Sequence, residues 1–218
     1  MGKAKVKRAS TAIDMTAMCD VSFLLLTFFV LTATARQPET LMVDTPASTT
    51  LDKLPDDNLA IITVGEQGKV FFTIKNPNVR ERTLKNMSAK YSVPFSDEDY
   101  KKFKGLEDFG VPFKQLRPLL AQEPAKRTVE IQSGIPVDST EALSNELYHW
   151  VQQARLATVE FNRDREAEEK NFTNPGPLVV AIKADAEEKY AVMNLIIETL
   201  RNQKQNKFSF VTGLRQEK

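Results

Sequence analysis

Asp20 stands at the head of Val21–Leu31, a run of Phe, Leu and Val interrupted only by Ser22 and Thr27. No turn signal separates the carboxyl group from that run. A charged carboxylate in hydrocarbon costs on the order of 2.5–3.5 kcal/mol at a helix centre and less near an interface, so it needs water, a partner or a proton. The chemistry open to such a residue is uptake and release of a proton. Thr27 and Thr34 follow at i+7 and i+14, close to the same helical face. Their hydroxyls could orient water, although a Thr bonding its own helix backbone needs no such role. No cluster of His, Cys and carboxylates has metal-ligand spacing. Phosphate-cradling, nucleophile-elbow and zinc-protease motifs are missing too. Neither an enzyme nor a cofactor is expected.

The element that must position Asp20 is a helix, expected over 13–35. Its apolar window, 17–35, rises ~1.5 Å per residue and nearly covers a hydrocarbon core of ~30 Å. A secretory signal is an alternative, because Lys3, Lys5, Lys7 and Arg8 precede the run and Ala33-Thr34-Ala35 has the shape of a cleavage site. Asp20 argues against it, standing where a signal wants apolar residues. A lipoprotein signal ending at Cys19 fails on order, since the apolar run follows the cysteine. Apolarity all round the helix argues against a buried soluble one. The four basic residues before the span, against Arg36 alone close behind it, predict a cytoplasmic N-terminus and an exported remainder. Residues 1–12 form a basic tail suited to fixing topology and meeting anionic membrane lipids.

The run Asp14-Met15-Thr16-Ala17-Met18-Cys19-Asp20-Val21, followed by a Leu/Phe-rich helix, resembles the N-terminal signature of the ExbD/TolR family. These are single-span subunits of proton-driven inner-membrane motors. Thr16 and Asp20-Val21 match the family pattern, and Ala17 stands where a Pro is usual. The resemblance implies that Asp20 carries the proton. It implies a pore formed by an ExbB-like polytopic ring, a pentamer, around two chains: this one and a second copy of itself or a paralogue. Protons entering from the periplasm would neutralise Asp20 and leave to the cytoplasm, and the work would pass to a TonB-like periplasmic partner. A TolR-like role in envelope integrity is one alternative. A plain tethered binding or scaffold domain is another, and Asp20 discriminates against it, because a tether has no use for a membrane acid.

Residues 36–58 read as a periplasmic linker punctuated by Pro38, Pro46 and Pro55. Within it Met42-Val43-Asp44-Thr45-Pro46-Ala47-Ser48 resembles the short post-membrane motif of ExbD, with Thr45 in place of the usual Leu. The resemblance implies that Val43, Asp44, Thr45, Pro46, Ala47 and Ser48 can pair with the folded domain or with a twin chain. An ordinary extended spacer is the alternative. A formal net charge of +1 suggests no nucleic-acid partner. The exported part has no cysteine, so its stability cannot use disulfides.

A domain is expected over 59–218. The runs 59–64 and 69–74 around Gly65-Glu66-Gln67-Gly68 predict a hairpin. Residues 75–128 read as an insertion relative to the compact family domain. Ser96 with Asp99 is a helix-start signal, and 112–120 predicts a short helix limited by Pro118. A strand is expected at 128–132, and a helix start at Asp138 with Glu141. Leu143, Leu147, Trp150, Ala154, Ala157 and Phe161 form one helical face, the core stripe, with His149 beside it as a packed or solvent-facing residue. The mixed charges of 163–170 read as the solvated end of that helix. A strand at 178–183, a helix at about 187–204 and a strand at 207–212 resemble the C-terminal half of the family's periplasmic domain. Asp185 and Tyr190 match its recurring Asp and Tyr, with structural roles in a turn and in the core. The expected fold class is α+β: one N-terminal transmembrane helix, an extended linker, and a small periplasmic domain with helices packed on a sheet.

Overall fold

The computed structural model describes residues 15–32, 40–48, 54–55, 58–140 and 142–214. They fall into two units, one on each side of the Pro38–Glu39 bond. Among the described residues the first holds the helix α1 (Met15–Thr32), which buries none of its side chains. At ~1.5 Å per residue it is ~27 Å long, close to a bilayer core. The expected ends of that helix, 13–14 and 33–35, lie outside the described residues, as do residues 1–12.

The second unit is α+β. Its sheet is built from runs of β-branched and aromatic residues, β2 (Leu59–Gly65), β3 (Lys69–Ile74) and β5 (Val179–Ala184). The short strands β4 (Asp108–Phe109) and β6 (Phe208–Phe210) flank them in the order β4-β3-β2-β5-β6. β2 and β3 form the expected antiparallel hairpin, while β5 runs parallel to β2 and β6 parallel to β5. Side chains alternate across a strand, so Ala60, Ile62, Val64, Val70, Phe72, Ile74, Val180 and Ile182 all face one core. The helices cover that face: α2 (Pro77–Tyr91), α3 (Asp97–Lys104), α4 (Phe113–Ala121), α5 (Glu146–Glu168) and α6 (Tyr190–Asn202).

Residues 75–128 are integral to this core. Phe103, Phe109 and Phe113, all fully buried, surround Trp150 of α5 with ring centroids 5.9, 4.7 and 5.7 Å away. Buried Arg80 of α2 donates to the Ile74 and Lys104 carbonyls, tying β3 to α3. Ser96 and Asp99 form a reciprocal capping box on α3. α4 has no cap of its own and takes one from α5, the Glu146 carboxylate accepting from Phe113 N at 2.6 Å. Burial raises the pKa of that carboxyl group, and the Phe113 bond opposes the shift.

Two expected elements are corrected. Residues 128–132 form no strand: Val129–Ile131 is a single 3₁₀ turn. Buried Gln132 replaces strand pairing with its side chain, accepting from Gly110 N at 2.8 Å. The sheet edge is met three residues later, where Ile135 N donates to Val70 O. Gly134 makes that approach with φ +90°, and a Cβ there would stand 3.0 Å from Val70 N. α5 begins at Glu146, not near Asp138, because Asn145 caps it by accepting from Tyr148 N. Asp138 instead closes the preceding loop, accepting from Ser139 N and Thr140 Oγ1. Leu143 therefore precedes the helix and is exposed, while Leu147, Trp150, Ala154 and Ala157 are buried as expected.

Candidate functional site

α1 carries its polar groups in a pattern. Thr16, Asp20 and Thr27 stand four and seven residues apart, hence near one helical face, over ~16 Å of rise. The opposite side offers Phe, Leu and Val. Ser22 donates to Met18 O at 2.8 Å, Thr27 to Leu24 O at 2.9 Å and Thr32 to Phe28 O at 2.7 Å. Those hydroxyls return to their own helix, which satisfies them at membrane depth. Each keeps acceptor capacity for a water or a proton donor. Asp20 is different in kind, because no helix backbone group can satisfy a carboxylate in mid-helix. The arrangement can hold and release one proton at an apolar boundary. Thr34 lies outside the described residues. Among the described residues no group of His, Cys, Asp and Glu could hold a metal ion.

The second candidate feature is the segment after the membrane helix. From Thr40 to Ser48 it lies on the domain, along the sheet face that the helices leave uncovered. Thr40 donates through its backbone N and its hydroxyl to both carboxylate oxygens of Asp108, at 2.9 and 2.8 Å. Leu41 is 2% exposed. Val43 packs so closely over Gly65 that a Cβ there would stand 2.6 Å from Val43 Cγ1. Asp44 O accepts from Ala186 N and Pro46 O from Gly213 N. Thr45 lies against Gly213, its Oγ1 3.3 Å from where a Cβ would be. Ala47 and Ser48 form β1 (Ala47–Ser48), parallel to β7 (Gly213–Leu214). The strap thus begins seven residues ahead of its β1 strand, at Thr40 and Leu41. The sign in the sequence is Leu41-Met42-Val43, an apolar trio inside an otherwise polar stretch.

Asp185 forms the expected turn, its N donating to Val64 O and its Oδ1 accepting from Glu187 N. Tyr190 does not pack in the core: it opens α6 and is 76% exposed. α6 buries Ile196 and Leu200, one helical turn apart, in the core, and Val192, Met193 and Ile197 pack against it half-buried. His149 is packed, 4% exposed, between Tyr91 and Tyr148.

The family description "Biopolymer transport protein ExbD/TolR" matches residues 6–214. The chain belongs to the ExbD/TolR family. The matched range runs from ahead of α1 to the end of β7, and so takes in Asp20 and the strap. Neither the curated proteins nor the solved structures compared with the chain gave a match. Among the described residues one helix is long and apolar enough to cross a membrane, and with family membership it makes this a single-pass inner-membrane transport protein of a complex with ExbB/TolQ-like partners.

Proposed function

We propose that this chain is an ExbD-like motor subunit in which Asp20 takes up and releases the driving proton. The observation that carries the reading is the lone carboxyl group on an otherwise apolar helix of bilayer length, inside a family match that covers it. A single span cannot pass protons through lipid, so α1 works within a bundle of partner helices, an ExbB-like pentamer holding two such chains. The N-terminus is cytoplasmic and the domain periplasmic, in keeping with the basic residues before the span. Neutral Asp20 can cross an apolar contact with the ring; charged Asp20 cannot without a large desolvation cost. Proton passage therefore becomes movement of α1 against its ring, with about 2.3 kcal/mol per charge per 100 mV of electrical drive. The domain delivers that movement to a TonB-like partner. A TolR-like role in envelope integrity is the alternative.

The test is Asp20→Asn in a strain lacking the chromosomal copy, with membrane level and energy-dependent outer-membrane uptake scored together. Normal insertion with uptake abolished is expected. Uptake that persists while envelope integrity fails would move the protein to the Tol branch. Survival of both would leave α1 a tether.

A further inference from the structure

The second half of α5 and the loop after it enclose a cleft of about 390 Å³, at the lower end of the range of about 300–1,000 Å³ found for small-molecule sites. Val159, Asn162, Arg163 and Glu166 line one wall, at spacings of three and four that put them on one face of α5. Asn174, Gly176 and Pro177 line the other.

Asn162 is 3% exposed. Its Nδ2 donates to Asn174 Oδ1 and to Gly176 O, both at 3.1 Å, so the amide is turned toward the opposite wall. Gly176 O also takes the Asn58 amide at 2.7 Å, which ties the loop to the residue ahead of β2. Asn162 Oδ1 accepts from nothing. A buried acceptor ordinarily has a donor, and the wall it belongs to is that of the cleft.

The charges of this wall are unpaired in the same way. Arg163 and Glu166 are opposite in sign and three residues apart, with Arg ahead of Glu, the weaker order for a helical pair. The ion pairs of this stretch are made by their neighbours, Arg82 with Asp164 and Arg165 with Glu169. Among the described residues Arg163 has no acid partner. Glu166 Oε1 accepts from Asn174 Nδ2 at 2.9 Å, which leaves Oε2 for a further donor. Val159, 58% exposed, and exposed Pro177 add apolar surface.

We propose that this cleft binds a free α-amino acid with an apolar side chain. Glu166 and Asn162 Oδ1 take its ammonium, Arg163 its carboxylate, and Val159 and Pro177 its side chain. An ammonium carries three donors, enough for both acceptors, and a carboxylate matches the guanidinium fork. A ligand of one charge would leave either Arg163 or Glu166 unmet. Proton transfer by Asp20 is not required, so Asp20→Asn should bind the amino acid as the parent does.

The test is equilibrium dialysis of labelled leucine against the full chain in nanodiscs of zwitterionic lipid, with empty nanodiscs as the blank. Saturable binding is expected. Leucinamide, which lacks the carboxylate, and N-acetyl-leucine, which lacks the ammonium, should each bind about tenfold or more weaker. Arg163→Gln should bring leucine down to the level of leucinamide and leave leucinamide unchanged. Glu166→Gln should do the same with N-acetyl-leucine. Both side chains are exposed, so the two variants should melt as the parent does, which separates loss of the site from loss of the fold. No saturable binding of leucine by the parent, equal binding of leucine and its two blocked forms, or undiminished binding by both variants would overturn the proposal. So would glycine binding as tightly as leucine, since it has no side chain for Val159 and Pro177.

Discussion

At the scale of single residues, the domain contains side chains whose environment dictates a measurable response. Gly110 passes directly over the Phe71 ring, and a Cβ there would lie 2.7 Å from three ring atoms. Phe71 is fully buried on the face opposite the helices and has no room to retreat. Gly110→Ala should therefore cost about 1–3 kcal/mol, read as a lowered denaturant midpoint with unchanged slope. His149 is buried with neither ring nitrogen hydrogen-bonded. Burial first, then the Lys90 ammonium, lowers its pKa, which the Ala142 backbone and Gln152 oppose. The charged and titratable groups around it are Lys90 and Tyr91 from α2 and Tyr148 from α5. A depressed folded-state pKa means the unfolded chain binds the proton more readily. Stability should thus be full above the ordinary His value of about 6.5, fall as pH drops below it, and level off beneath the lowered value. Glu81 and Asp99, held below the usual carboxylate range by Lys85 and by Ser96, act only at more acidic pH. Thermal melts at about pH 7.5 and about pH 5.5 should show this slope in the parent domain and lose it in His149→Phe.

At the scale of elements, the strap is held by few bonds and one buried side chain. Leu41→Ser should release residues 40–48 while the domain stays folded. Ala186 N and Gly213 N are bonded to strap carbonyls, so their hydrogen exchange should accelerate ahead of β2 and β5 amides. Unchanged protection there would mean that Leu41 does not hold the strap. The hairpin, the capping box at Ser96, the 113–121 helix and the 179–184 strand were legible because local chemistry determines them: β-branched runs, a Ser–Asp pair three apart, a flanking Pro-Gly-Pro. The strand expected at 128–132 failed because Gln132 satisfies Gly110 through its side chain, a long-range bond that no local pattern encodes. The start of α5 was misplaced for a related reason. Asp138 and Asn145 are both good caps, and the structure uses Asn145 for the helix and Asp138 for the loop. Tyr190 shares a helical face with core residues in sequence, but α6 begins at that residue and leaves it exposed, while Val192 and Met193 of the same turn pack against the core.

At the scale of the whole molecule, the anchor with its acid could be read from composition alone, since a carboxyl group in a bilayer-length apolar run is physically anomalous wherever it occurs. The part that residues 75–128 play in the core could not be read from the sequence. Phe103, Phe109 and Phe113 are spread along a sequence with weak periodicity and converge only when α3, β4 and α4 fold onto Trp150. The strap was half legible, its motif from resemblance and its Leu41 and Thr40 anchors only from the fold. What unites anchor, strap and domain is the proposed passage of force from a protonated side chain to a periplasmic partner. Proton carriage by Asp20 is tested most directly by flux. The chain and its ExbB/TolQ-like partner are reconstituted together in liposomes with an internal pH dye, and a potassium diffusion potential drives proton entry. The parent chain should give flux above the partner alone, and Asp20→Asn, incorporated to the same level, should give none. Equal flux from parent and variant, or none from the parent, would contradict a proton-carrying role for Asp20.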